Sequence, residues 1–216
     1  MPGILIYYQS HSGNELLFGD DCRMTVDTTS VVIVENEPDL ASLYTTWLEE
    51  TYDVEMASDG ETARAVIDGT IDVVLFDRRI PGLSGEALLT MLQERDLECR
   101  VAMITAVEPT FDIIEAAVDD YLVKPVSKDE LLRIVEQLVL RSSYDEQLQQ
   151  FFALASTKAL FDAEKTAAER KSSDEYARLQ DQLAVCRVRV EETMTELFDQ
   201  GCYRRLYQDL TCEPTP

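Results

Sequence analysis

Asp77 follows the apolar run Val73 to Phe76 in the stretch IDVVLFDRRIPGLSG. A β-branched and aromatic run of that kind reads as a strand buried on both faces. Pro81, Gly82 and Gly85 then break the chain before the next helical pattern. Two other apolar runs end in polar groups. VVIVENEPD delivers Glu35, Asn36 and Glu37, and DDYLVKPV delivers Lys124. In an open α/β sheet, ligands and chemistry collect where the strands end. Acids at one strand end, a carboxylate at a second and a lysine at a third are the parts that a Mg²⁺-assisted phosphoryl transfer onto Asp77 requires. A carboxylate is a competent nucleophile towards phosphorus. Mg²⁺ takes one or two protein carboxylates and keeps several waters. An ammonium neutralises phosphoryl charge as a point-charge donor. Thr105 closes the apolar run VAMIT, with a hydroxyl suited to a phosphoryl oxygen. Each residue alone has a plainer reading. Asp77 could be a turn or cap residue, and Glu35, Asn36 and Glu37 could be surface groups ahead of a helix that Pro38 opens. The three strand ends taken together carry the chemistry. Lys124 precedes Pro125, which holds its backbone extended and makes the bond a candidate for cis.

The elements that must position these groups are legible as alternating patterns. Strands read at 31–34, 53–57, 72–76, 101–104 and 120–123, with helices near 39–50, 60–68, 85–95, 110–117 and 128–141. Ser127 with Glu130 three residues on forms a capping box for the last of these helices. Five strands alternating with five helices imply right-handed crossovers and a parallel sheet covered on both faces. The expected fold is a doubly wound, flavodoxin-like α/β sheet in the order 2-1-3-4-5, which sets the ends of strands 1 and 3 side by side. Glu35, Asn36 and Asp77 should then converge. After Arg141 no strand pattern returns. Residues 144–170 and 174–198 read as two long helices broken at RKSSD, where Ser172 or Ser173 can cap the second. Tyr176, Leu179, Leu183, Cys186, Val190, Met194 and Leu197 keep a 3-4 spacing, facing Leu148, Phe151, Phe152, Ala155 and Ala159 in the first helix. Such stripes joined by a short loop predict an antiparallel helical hairpin or coiled coil. Gly201 stops the second helix, and YRRLYQDL suits a short final one.

The chain has 216 residues, with 42 Asp and Glu against 19 Lys and Arg, for a formal net charge of −23. Residues 1–30 contribute −3, residues 31–142 contribute −15 and residues 143–216 contribute −5. An acidic excess spread over every segment repels nucleic acid. It suits a cytoplasm with molar salt, where screening over about 3 Å removes self-repulsion. Cys22, Cys99, Cys186, Cys202 and Cys212 form no CxxC pair, and His11 is the only histidine. Zinc sites and c-type haem are thereby excluded, and the thiols are expected reduced. No run approaches the 18 apolar residues of a bilayer span, and MPGILIYYQSHSG lacks the basic start of a secretory signal. The expected location is cytoplasmic. Residues 1–30 fit no domain, and are read as a disordered arm or as sequence ahead of a true start at Met24.

Residues 31–142 resemble the receiver domain of two-component response regulators, through VVIVENEPDL, LFDRRIPGLSG, VAMITA and DYLVKPV in order and spacing. The resemblance implies that Asp77 accepts a phosphoryl group from a histidine kinase. It puts Glu35 and Asn36 at the acidic-pair positions, the backbone carbonyl of Arg79 at the third Mg²⁺-ligand position, and Thr105 and Lys124 at the switch hydroxyl and phosphate-binding lysine. Tyr121 matches the aromatic that rotates inward on activation, and Arg79 and Val107 the positions that tune dephosphorylation. One departure stands out: the second acid of the pair is Asn36, so one negative charge is missing. Residues 143–212 resemble the HalX helical domain that follows receivers in haloarchaea, through context, length and the ending GCYRRLYQDL. The expected function is a switch rather than an enzyme, with a protein partner for the helices and a homodimer left open. Direct nucleic-acid binding is not expected, because the helical part is net negative and lacks a short helix-turn-helix. Two alternatives remain. Asn36 favours a receiver-like scaffold that works without phosphorylation. Arg79 disfavours a phosphatase, which would want a second Asp there, and ENEPDL disfavours a flavin-phosphate loop.

Overall fold

The computed structural model describes residues 28–106 and 118–199. Its main sheet holds β1 (Ser30–Val34), β2 (Asp53–Ala57), β3 (Val73–Phe76), β6 (Arg100–Thr105) and β7 (Asp120–Val123). The order is β2-β1-β3-β6-β7 and every pairing is parallel. This is the expected topology, with one addition in the chain between β3 and β6. The two-residue strands β4 (Arg79–Ile80) and β5 (Leu83–Ser84) form a small antiparallel hairpin. Gly82 turns it at φ +74, a conformation that glycine reaches without the Cβ penalty.

Alternation along the central strands sorts side chains into two cores. Val32, Val34, Val74, Phe76, Val101 and Met103 pack with α2 (Gly60–Val66) and α3 (Gly85–Glu94). Val31, Ile33, Val73, Leu75, Ala102 and Ile104 pack with α1 (Pro38–Leu48) and the start of α4 (Lys128–Glu164). Strands buried on both faces need these unbroken apolar runs. Each fully buried Val, Leu or Ile contributes about 1.5–3 kcal/mol. The helices begin where the local chemistry directs. Pro38 opens α1, Asp59 accepts amide bonds from Glu61 and Thr62 at the start of α2, and Ser84 accepts one from Ala87 at the start of α3. Gly85 is held by close approach, since a Cβ there would lie 2.8 Å from the Phe76 ring.

The helical part departs from the expected division. The reading of separate helices at 128–141 and 144–170 is corrected: α4 runs unbroken through Lys128–Glu164. The chain turns at Lys165 and Thr166, makes the short α5 (Ala167–Lys171), and continues as α6 (Asp174–Asp199). The capping box of Ser127 and Glu130 is formed. Ser173 accepts the amide of Tyr176 at 3.1 Å and caps α6. Helices α4 and α6 pack antiparallel, because Gln147 meets Cys186 and Thr193 while Asp162 meets Tyr176. Three members of the expected stripes, Phe152, Ala159 and Met194, fall outside the seam. Phe152 is 60% exposed and Met194 is 43% exposed. Thr193 takes the seam position instead, buried with its hydroxyl donated to Gln147 Oε1 at 2.9 Å. Ala159 is also exposed, whereas Gln147, Leu148, Phe151, Leu154 and Ala155 on α4 are half-buried. Four readings lie outside the described residues: Val107, the helix at 110–117, the arm before residue 28, and the ending from Gly201.

Candidate functional site

The sheet ladder continues one residue past the strands and fixes three site residues laterally. Asp77 donates its amide to Val34 O at 2.9 Å, Glu35 to Ala57 O at 3.0 Å, and Lys124 to Thr105 O at 2.9 Å. The strand order then brings Glu35, Asp77 and Lys124 to one end of the sheet, Glu35 and Asp77 on the neighbouring β1 and β3 and Lys124 past β7, with β6 between β3 and β7. Lys124 Nζ lies 2.5 Å from Asp77 Oδ2 and 2.6 Å from Glu35 Oε2. The other carboxylate oxygens are occupied locally. Asp77 Oδ1 accepts the amide of Arg79 at 3.0 Å, and Glu35 Oε1 accepts that of Glu37 at 3.1 Å. Glu35 is only 2% exposed and Asp77 7%. The Lys124–Pro125 bond is cis.

Two buried carboxylates share one ammonium, so the pocket carries a formal charge of −1. Burial works against the charge of Lys124, but its hydrogen bonds to Asp77 and Glu35 prevail and hold its pKa above the usual lysine value. An acid that shares its counter-charge in a dry pocket is poised for an electrophile or a cation that completes the neutralisation.

Around this centre, Thr105 is buried at the end of β6, next to Val123 in the ladder. Tyr121 sits half-buried on β7 opposite Met103 and packs against the core of the α2 and α3 face. Its phenol is raised by burial, with Arg78 opposing and Asp77 adding to the shift. Asn36 and Arg79 are exposed at the rim, next in chain to Glu35 and two residues beyond Asp77.

The direct bridge from Lys124 to Glu35 is absent from the sequence reading, which gave Glu35 to the metal and Lys124 to phosphate. The donor set suits a Mg²⁺ ion that keeps much of its water. The two carboxylates exceed the one ammonium by a charge, and the Asn36 amide and the Arg79 carbonyl are oxygen donors at the rim. Among the described residues no group of three or more His, Cys, Asp or Glu side chains is gathered as a ligand cage. A cation here would therefore draw on amide, backbone and water oxygens as well.

Residues 31–136 match the response regulator receiver domain, and residues 140–207 match the HalX domain. A provisionally named transcriptional regulator of Haloferax volcanii is 42% identical over 162 residues, which is 74% of this chain and 28% of that protein. The sensory transduction protein RegX3 of Mycobacterium tuberculosis is 32% identical over 142 residues, 63% of this chain and 62% of that one. Among solved structures, the signal receiver domain of a provisionally named Luxo repressor of Vibrio parahaemolyticus superposes with a TM-score of 0.52 at 25% identity. That match covers 56% of this chain and 97% of the other. This chain spans 28% of the Haloferax relative and about half to three fifths of several other curated relatives, 48% to 62%.

Proposed function

Because the chain carries a response regulator receiver domain followed by a HalX domain, we propose that it is a phosphorylation-controlled switch. Asp77 is its acceptor and the helical part its output. The observation that carries this reading is the contact of Lys124 Nζ with both Asp77 and Glu35 at the strand ends. An oxygen of Asp77 attacks the phosphorus of a kinase phosphohistidine, or of a small phosphodonor. The new O–P bond forms as the N–P bond of the phosphohistidine breaks, and the departing imidazole takes up a proton. Lys124, already between the two carboxylates, receives a phosphoryl oxygen without crossing the pocket. Thr105, buried at the end of β6, supplies a hydroxyl for another. Glu35, Asn36, Asp77 and the Arg79 carbonyl are the groups that would hold Mg²⁺, which when bound neutralises charge developing on the transferred group. The chain is a switch and not an enzyme with a substrate of its own. Its partners are a sensor histidine kinase and a protein that reads the helices, and its proposed setting is the cytoplasm of a halophile. A role in transcriptional control follows the names of the relatives alone.

Asn36 supports a second reading. With an amide at the rim and Lys124 already bridging the acids, the pocket is balanced to within one charge without metal, as a phosphorylation-independent scaffold would need. Intact-mass measurement after incubation with a small phosphodonor separates the two. The switch reading predicts one added phosphoryl group per chain that requires Mg²⁺, whereas an unmodified chain in saturating donor and Mg²⁺ supports the scaffold. Asn36→Asp should tighten Mg²⁺ binding by roughly tenfold, about 1.4 kcal/mol, in a calorimetric titration at matched salt. Unchanged affinity would remove residue 36 from the ligand set.

A further inference from the structure

The helical part is joined to the sheet by a continuous helix. Helix α4 starts at Lys128, four residues after Lys124, and its 37 residues span about 55 Å. Its first turns are locked into the sheet core through Leu131, Ile134, Val135 and Leu138, and its far half forms the hairpin with α6. Between these halves stands a cluster of ion pairs. Arg141 donates to Asp119 O at 2.8 Å and pairs with Asp120 at 3.2 Å. Arg100, at the start of β6, pairs with Asp119 at 2.9 Å and reaches over to Asp145 on α4. Asp119 also accepts the amide of Val101 at 2.8 Å. The groups clasped on the sheet side therefore sit at the start of β7, the strand that carries Tyr121 and leads directly into Lys124.

We propose that Arg100, Asp119, Asp120, Arg141 and Asp145 form a regulatory clasp that couples β7 to the attitude of the α4–α6 hairpin. This rests on the reading of Asp77 above and names how its state is transmitted. β7 is a four-residue strand with the pocket lysine just past one end and the clasp at the other. A shift of β7 when Lys124 changes partner from carboxylate to phosphoryl therefore moves Asp119 and Asp120 against Arg100 and Arg141. The paired side chains are mostly half-buried or less exposed, so molar salt screens them less than it screens surface pairs. Helix α4 is stiff, so a small rotation at residues 141–145 is carried to the hairpin tip. Coupling of this kind needs an element with two arrangements that both ends bias.

The test is hydrogen–deuterium exchange on the full chain in molar KCl, with and without Mg²⁺ and beryllium fluoride as the phosphoryl mimic. In the parent, the probe should slow exchange in residues 121–126. It should also change exchange in residues 146–164 and 174–198 by about fivefold or more, the lower end of ordinary coupling. Arg141→Gln combined with Asp145→Asn should keep the response at 121–126 and lose it in the hairpin. Asp145→Asn alone, a substitution on the helix surface that leaves the core untouched, should weaken the hairpin response. A pocket response without any hairpin response in the parent would overturn the clasp and leave the acceptor reading intact, as would a hairpin response unaltered in both variants. No response at 121–126 would remove the acceptor reading and the clasp with it.

Discussion

The strand-end pocket and the helical hairpin are held by opposite means. In the pocket, backbone ladders fix three residues at one end of the sheet, and a single ammonium bridges two acids almost cut off from solvent. In the hairpin, the seam is a run of contacts of which only some are buried, with Leu179, Cys186, Thr193 and Leu197 enclosed and Leu183 half-exposed. The sheet side can therefore tolerate electrostatic tension, because its scaffold is over-determined by two apolar cores. The hairpin has no second layer among the described residues and depends on register. Chemistry belongs where the scaffold is rigid, and movement where contacts are few.

Substitutions in the two regions should separate accordingly. The largest effect is expected at Lys124→Met, which leaves Glu35 and Asp77 buried without their counter-charge. Removing one partner of a buried pair costs about 3–5 kcal/mol, read by denaturant unfolding at neutral pH in molar KCl. Mg²⁺ should recover part of that loss if the pocket takes the cation. In the parent, the pKa of Lys124 is raised on folding, so its contribution is complete below the ordinary lysine value of about 10.4. That contribution is lost as pH rises through the higher folded value. A stability that is flat across that alkaline range would contradict the bridge.

A packing comparison comes next. Leu131→Ala, in the fully enclosed contact of α4 with the sheet, should cost about 2–5 kcal/mol. Leu183→Ala in the half-exposed seam should cost clearly less, roughly 1 kcal/mol. Equal losses would mean that the hairpin is covered by something further, such as a second copy, and light scattering at high salt would then show a dimer. A change of similar size is expected at Thr193→Val, which removes the hydroxyl bond to Gln147 and should cost about 1 kcal/mol. Deleting residues 1–23 should leave the melting temperature within a degree or two, and a large fall would show that segment docked on the sheet.

The sheet was legible because its signals are redundant. Apolar runs such as Val73–Phe76, turn residues after them and caps such as Ser127 with Glu130 agree with one another. The site was legible for the same reason: strand ends are places, and Glu35, Asp77 and Lys124 could be located before any distance was known. The bridge among them was not, because sequence names charges without saying which pair. The break expected near residue 142 failed for an instructive reason. Arg141-Ser142-Ser143 is polar, and Ser143 with Glu146 mimics a capping box, so the local pattern favours a new start. Arg141 and Asp145 instead reach the sheet from one side of a continuing helix, and tertiary contacts override a weak local preference. Phe152 was misplaced because both flanks of α4 carry apolar residues, and only its partner decides which flank faces α6. Thr193 was passed over for the neighbouring Met194, although Thr193 keeps the 3-4 spacing between Val190 and Leu197.

If Asp77 is the acceptor, the phosphoryl group can be located on it directly. The full chain is treated with phosphodonor and Mg²⁺ in molar KCl, trapped with borohydride, which converts an aspartyl phosphate to homoserine, and mapped by peptide mass spectrometry. Conversion is expected at residue 77 alone, with none in Asp77→Asn, which should keep the parent fold because residue 77 lies beyond the strand and outside both apolar cores. Conversion at another acid, or undiminished phosphoryl incorporation in the Asn variant, would contradict Asp77 as the acceptor.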